Sequence, residues 1–92
     1  MVDVRAEARG SSWVCTVDVD HGGQRTRHTV TVAPADIERW AEGRDREQVE
    51  RLVARSFDFL LEREPPSAIL ASFDLSVIQR YFPEYERAFR PE

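Results

Sequence analysis

Two neighbouring segments alternate between apolar and polar residues and meet at a glycine pair. In residues 13–20 the odd positions are apolar, and in residues 25–32 the valines and His28 fall on even positions. Gly22-Gly23 lies between the segments and can adopt the positive φ angles of a two-residue hairpin turn. Such a turn pairs Trp13 with Val32, Cys15 with Val30, Val17 with His28, Asp18 with Arg27, Asp20 with Arg25, and His21 with Gln24. A slip of one residue would place valines opposite arginines, so the pattern predicts this register.

An earlier segment continues the same alternation. Val2, Val4, Ala6 and Ala8 are small apolar residues at every second position, and residues 10–12 are typical of a turn. If this strand pairs with residues 13–20, Arg5 can reach Asp18. We therefore expect an antiparallel hairpin or three-stranded meander with one apolar face.

The rest of the chain has helical spacing. Pro34 is typical of the start of a short helix that ends near Gly43, and Asp45 with Gln48 resembles a capping box. The long helix predicted over 46–62 is apolar on an arc wide enough to contact two neighbours. We expect these to be the sheet and either the C-terminal segment or a second subunit. Pro65-Pro66 ends this helix.

Two further helical segments are predicted after the proline pair. They cover residues 67–73 and 75–82, with Asp74 as the cap of the second, and Pro83 interrupts the pattern afterwards. The fold class is thus α+β, with the N-terminal hairpin or meander packed against three to four C-terminal helices. We expect one domain over 1–92, with a β part at 1–33 and a helical part at 34–92.

Composition excludes several classes of protein. A single cysteine, Cys15, rules out an internal disulfide and a cysteine-built zinc site. The longest apolar run, residues 68–71, is too short for a membrane span, so we expect a cytoplasmic protein without membrane partners. All 13 basic residues are arginine, and lysine and asparagine are absent. Both missing residues have codons that begin with two adenines, which predicts a GC-rich genome and favours a bacterial one.

Near the C-terminus, residues 69–85 contain Ile69-Leu70, Phe73-Asp74-Leu75, Ile78, and Tyr81-Phe82-Pro83-Glu84-Tyr85. This segment resembles the C-terminal signature of small uncharacterised bacterial proteins. The resemblance implies a bacterial cytosolic protein and carries no functional residue. The order of strands before helices is also similar to that of small antitoxin domains.

Aromatic and aliphatic residues of the helical half are the first candidate site. Tyrosine-rich apolar surfaces are common at protein interfaces, although the same residues can also complete a small core. The candidate interface consists of Phe59, Leu61, Tyr81, Phe82, Tyr85 and Phe89. They predict a non-catalytic module that binds itself or another protein.

Two alternatives use the hairpin. Arg5, Arg25 and Arg27 share one strand face and could contact nucleic acid, although the net charge of −4 and the facing aspartates oppose this. The turn after Asp18 and Asp20 could bind a metal or small ligand, but the spacing lacks the glutamate of a calcium loop. No catalytic motif is present, and we expect no enzyme activity and no cofactor.

Overall fold

A four-stranded sheet in the order β1-β2-β3-β4 organises the protein. The computed structural model describes residues 1–89. The strands are β1 (Val2–Arg9), β2 (Ser12–His21), β3 (Gln24–Val32) and β4 (Ser72–Asp74). The first three form an antiparallel meander, and β4 joins the edge of β3 in parallel. With the helices that follow the meander, this confirms the predicted α+β class.

The β2–β3 register is the predicted one. Cys15 pairs with Val30, Val17 with His28, and Asp18 with Arg27. Gly22 and Gly23 have φ angles of 61° and 79°, the left-handed values that a two-residue turn requires. β1 pairs with β2, so the first three strands turn one apolar face towards the helices and one polar face away from them.

Four helices and a short 3₁₀ turn follow the meander within the part of the chain that the structure describes. They are α1 (Pro34–Trp40), α2 (Arg46–Leu61), the 3₁₀ turn Pro66–Ala68, α3 (Val77–Tyr81) and α4 (Glu84–Phe89). None of the helices within residues 1–89 is long and apolar enough to cross a membrane.

Capping residues determine where α1 and α2 begin. Pro34 is the first residue of α1. The Asp36 carboxylate accepts a hydrogen bond from the Ala33 N–H at 3.1 Å, and burial raises the pKa of this carboxyl. At α2, the Asp45 carboxylate accepts from the Gln48 N–H at 2.9 Å, as its spacing predicted. Both helices thus begin with an acidic side chain that satisfies a backbone donor.

Gly43 does not end α1, which stops three residues earlier at Trp40. The absence of a side chain at Gly43 leaves room for Gln48 of α2 instead. A Cβ atom at this position would approach Cγ of Gln48 to 2.8 Å, a distance that requires the side chain to move. Gly43 therefore accommodates the start of α2.

The prediction of a helix over residues 67–73 is wrong. Only residues 66–68 form a helical turn, and the chain then extends into β4. Thr29 N donates to Ala71 O at 2.8 Å, and Leu75 N donates to Thr31 O at 2.9 Å. These non-local bonds to β3 replace the local bonds of a helix. Asp74 consequently lies in the strand and caps no helix, and α3 begins only at Val77.

The hydrophobic core lies between the sheet and α2. The sheet contributes buried side chains at every second position, and α2 contributes Val49, Leu52, Val53, Phe57 and Leu60. Phe57 is fully buried, with its ring 5.3 Å from that of His28 and 6.1 Å from that of Phe73. One aromatic side chain of α2 thus contacts both β3 and β4.

Phe57→Ala is expected to lower the free energy of unfolding by about 3–5 kcal/mol, because it removes a buried ring between two strands and leaves a cavity. Denaturant unfolding followed by circular dichroism measures the loss. Tyr81→Ala, at a side chain that is 70% exposed, is the matched control and should change stability by less than about 1 kcal/mol. Equal losses for the two variants would contradict this core arrangement.

Candidate protein-interaction surface

Three residues of the predicted interface are buried within the chain. Phe59, Tyr85 and Phe89 form one aromatic cluster between α2 and α4. The Phe59 ring lies 5.4 Å from that of Tyr85 and 5.9 Å from that of Phe89, and the rings of Tyr85 and Phe89 stack at 4.2 Å. These side chains attach α4 to α2, and a partner could reach them only after α4 separates from the core.

A buried hydroxyl pair fixes this attachment. Ser56 Oγ donates to the Leu52 carbonyl at 2.7 Å, so its oxygen accepts the hydroxyl proton of Tyr85, also at 2.7 Å. Burial raises the pKa of Tyr85, so the phenol is neutral and donates. The buried hydroxyl of Tyr85 therefore has a hydrogen-bond partner inside the protein.

Glu86 extends the attachment to α1 and α3. Its Oε2 accepts hydrogen bonds from Trp40 Nε1 at 2.8 Å and from Gln79 Nε2 at 3.2 Å. The Trp40 ring also meets that of Tyr85 edge-on at 5.0 Å. These contacts together hold α4 against α1, α2 and α3.

The other three predicted residues lie nearer the surface. Tyr81 is 70% exposed, whereas Leu61 and Phe82 are half-buried. Leu61 lines a depression together with Gly22 of the hairpin turn and Pro65. Tyr81 and Phe82 line a separate apolar groove. The structure therefore does not bring the six predicted residues together as one exposed surface.

This groove, of about 310 Å³, lies between the end of α2, the segment before β4, and α3. We call it the β4 groove. Its lining includes Leu60, Ile69, Leu70, Phe73, Val77 and Tyr81. Leu70 is 51% exposed, and Tyr81 70%, so two large apolar side chains of the lining face solvent. Leu70 was not among the residues predicted for the interface, because its position depends on the non-local pairing of β4.

Among residues 1–89, Glu64 is the one charged residue in the lining of the β4 groove. It is half-buried, and its carboxylate makes no hydrogen bond or ion pair within residues 1–89. A half-buried carboxylate beside apolar side chains attracts a cation more strongly than one in bulk water. The groove thus combines apolar contact with one negative charge.

His28 holds the segment that forms one side of the groove. Its Nδ1 lies 2.7 Å from the Leu70 carbonyl, which can only accept, so Nδ1 carries a proton. Nε2 lies 2.8 Å from Thr26 Oγ1. Both ring nitrogens are therefore engaged in positioning the chain, and the buried ring contacts Phe57.

The arginines proposed for nucleic-acid binding each face an aspartate. Arg27 Nε lies 2.7 Å from Asp18, Arg5 lies 3.4 Å from the same carboxylate, and Arg25 lies 3.3 Å from Asp20. The hydrogen bond and charge of Arg27, with the charge of Arg5, lower the pKa of Asp18. Nothing in this arrangement favours a surface for phosphate, and nucleic-acid binding stays a prediction.

The groups considered for metal binding or nucleophilic chemistry do not converge. Within residues 1–89, no three histidine, cysteine, aspartate or glutamate side chains are grouped to hold a metal ion. Cys15 is fully buried, and burial, aided by the charge of Glu50, raises the pKa of its thiol to about 12. The thiol is therefore protonated and inaccessible at neutral pH.

Comparison of the chain with protein-family models, curated proteins and solved structures found no match. The resemblance of residues 69–85 to small bacterial proteins therefore stays a prediction.

Asp18→Asn should remove an acid-sensitive contribution to stability. Because the folded pKa of Asp18 is lowered, its ion pairs stabilise the protein above the unfolded pKa, and this stabilisation is lost as pH falls through the folded pKa. We therefore expect the wild type to exceed the variant in urea midpoint at neutral pH, and this difference to shrink as pH falls below about 4.

Asp58→Asn, at an exposed carboxylate of α2, is the matched control. A difference between wild type and Asp18→Asn that stays constant with pH would contradict the role assigned to these ion pairs.

Proposed function

We propose that this protein is a non-catalytic interaction module that binds a segment of another protein in the β4 groove. The observation that carries the proposal is the exposure of Leu70 and Tyr81 at an apolar groove in a chain that buries most of its large apolar side chains. Exposed apolar surface that is continuous rather than scattered is typical of binding sites.

The accessible surface area of the chain is that of a folded monomer, which supports an external partner for the groove. The accessible surface is 5661 Å², close to the roughly 5,500 Å² expected for a folded monomer of this mass. The protein therefore does not need a second subunit to cover an open core. The groove is a local feature of an otherwise complete fold.

The lining of the groove specifies the chemistry of the partner. Leu70, Phe73 and Tyr81 favour one or two large apolar side chains, and the carboxylate of Glu64 favours an arginine or lysine beside them. A volume of about 310 Å³ is at the lower end for sites that hold small molecules, which suits a short peptide anchor. The partner segment is thus apolar with an adjacent positive charge.

The surroundings of Cys15 and His28 support a non-catalytic role. Cys15 is buried with a raised thiol pKa, and His28 uses both ring nitrogens to position Thr26 and Leu70. Neither side chain lines the β4 groove. Neither the thiol nor the imidazole is therefore placed to act on a segment bound in the groove.

A random-peptide display library selected on the purified protein tests the proposal. Selected peptides should share large apolar residues next to arginine or lysine. Leu70→Asp should weaken their binding at least tenfold, because it places a charge in the apolar contact. Glu64→Gln should weaken basic peptides more than neutral ones.

Val14→Asp is the matched control, since Val14 is a half-buried apolar residue on the opposite face of the sheet. Its substitution should leave peptide affinity unchanged, and circular dichroism should show that all variants are folded. Failure to select any peptide, or equal effects of Leu70→Asp and Val14→Asp, would refute the proposal.

A further inference from the structure

β1 is an edge strand whose outer side is available for pairing. Met1 and Asp20 exchange backbone hydrogen bonds. Because bonded residues alternate along an antiparallel strand pair, the odd residues of β1 bond to β2. The even residues of β1 direct their N–H and C=O groups outward. The Ala6 N–H confirms this direction, because it donates to Glu50 of α2 and not to a strand. The even positions 2–8 thus form the outer edge of the sheet, which pairs with no other strand of residues 1–89.

Charged side chains alternate along the polar face of the same strand. They are Asp3, Arg5, Glu7 and Arg9, all exposed. An antiparallel second copy related by a two-fold axis at Ala6 would pair position 3 with 9 and position 5 with 7. Every facing pair then joins an acid to an arginine.

We propose that two copies of this chain pair through β1 in this register and form one continuous eight-stranded sheet. Ala6 would exchange backbone hydrogen bonds with Ala6 of the second copy, and Val4 would do so with Ala8. The charged pairs occupy the alternate positions, where side chains of facing strands approach most closely. The β4 groove takes no part in this contact.

Charge distinguishes this register from its neighbours. An axis at Arg5 would place Arg5 against Arg5 and Asp3 against Glu7, and an axis at Glu7 would place Arg5 against Arg9. Like charges directly opposite each other destabilise a strand pair. The axis at Ala6 pairs all four charged positions favourably on both copies.

The apolar face agrees with the same register. Val4 is half-buried and would face the small Ala8, and Ala6 would face its own copy, so the facing apolar side chains of the two strands are small. Because the same strand is used on both subunits, the contact closes after two copies and does not propagate into a fibre.

Glu50 opposes the pairing. Its Oε2 accepts from the Ala6 N–H at 2.9 Å, at the position where the two-fold axis would lie. The carboxylate must leave this donor before a second strand can bind, and the two copies of Glu50 would then approach each other. Wild-type pairing is therefore weak and reversible, and Glu50 limits its strength.

Sedimentation equilibrium over a wide range of protein concentration tests the proposal. Wild type should show a monomer–dimer equilibrium, and Glu50→Ala should lower the dissociation constant about tenfold, since one competing hydrogen bond is removed from each subunit. If neither protein dimerises up to about 1 mM, the proposal is wrong.

A charge exchange tests the register. Asp3 and Arg9 make no ion pair within residues 1–89, so their substitution affects the monomer little. Arg9→Asp in the Glu50→Ala background should raise the dissociation constant about tenfold, and adding Asp3→Arg should restore it. Arg87→Asp, an equal charge change on α4, is the control and should have little effect. If the variant that carries both Arg9→Asp and Asp3→Arg dimerises no more tightly than the variant with Arg9→Asp alone, this register is wrong.

Ala8→Pro tests the backbone contact. The Ala8 side chain is exposed and its N–H points outward, so proline should preserve the monomer fold and remove the dimer. Circular dichroism checks the fold. Leu70→Asp should leave the dimer intact. A dimer that survives Ala8→Pro but is lost in Leu70→Asp would assign self-association to the β4 groove and overturn the proposal.

Discussion

Burial of one face of the sheet is the constraint on which the other elements depend. Strand β2 has 10 residues and spans about 33 Å, whereas the 16 residues of α2 span about 24 Å. A single helix therefore cannot cover the apolar face. Ile69, Leu75 and Ile78, which follow the end of α2, are buried in the same core and complete its cover.

The shortness of the last two helices explains why the C-terminal segment contains so many aromatic residues. α3 has five residues and α4 has six, far below the length at which an isolated helix is stable. Their stability must come from packing. Ile78 of α3 is buried in the core, and Tyr85 and Phe89 of α4 pack against Phe59 of α2. Two of the aromatic residues predicted for an interface, Tyr85 and Phe89, thus attach α4 to α2.

Local patterns were sufficient to predict the meander and the start of α2. The β2–β3 register depends on a two-residue turn and on alternation within 20 residues, and the cap of α2 depends on Asp45 and a residue three positions later. β4 could not be predicted in this way. Ile69 and Phe73 have helical spacing, and the hydrogen bonds that make the segment a strand come from Thr29 and Thr31, about 40 residues earlier.

The same limit applies to the candidate surface. The sequence identified Tyr81 and Phe82 but could not separate them from the buried Tyr85 and Phe89, because all four lie on one continuous apolar pattern. Burial is decided by contacts with Ser56 and Phe59 of a distant helix. Leu70 was not identified, since its exposure depends on the bond between its carbonyl and His28.

The two proposed surfaces lie at opposite edges of the sheet, which determines how they would act together. β1 is one edge strand, and β4, which contributes Phe73 to the groove, is the other. In a dimer paired through β1, the two copies of β4 would lie at the outer edges of an eight-stranded sheet, seven strand spacings or about 34 Å apart. Both grooves would remain open. A partner with two anchor segments at that separation would gain affinity from the linkage itself, because binding of the first segment raises the effective concentration of the second. The weak pairing imposed by Glu50 would then make the strength of partner binding depend on the concentration of the module.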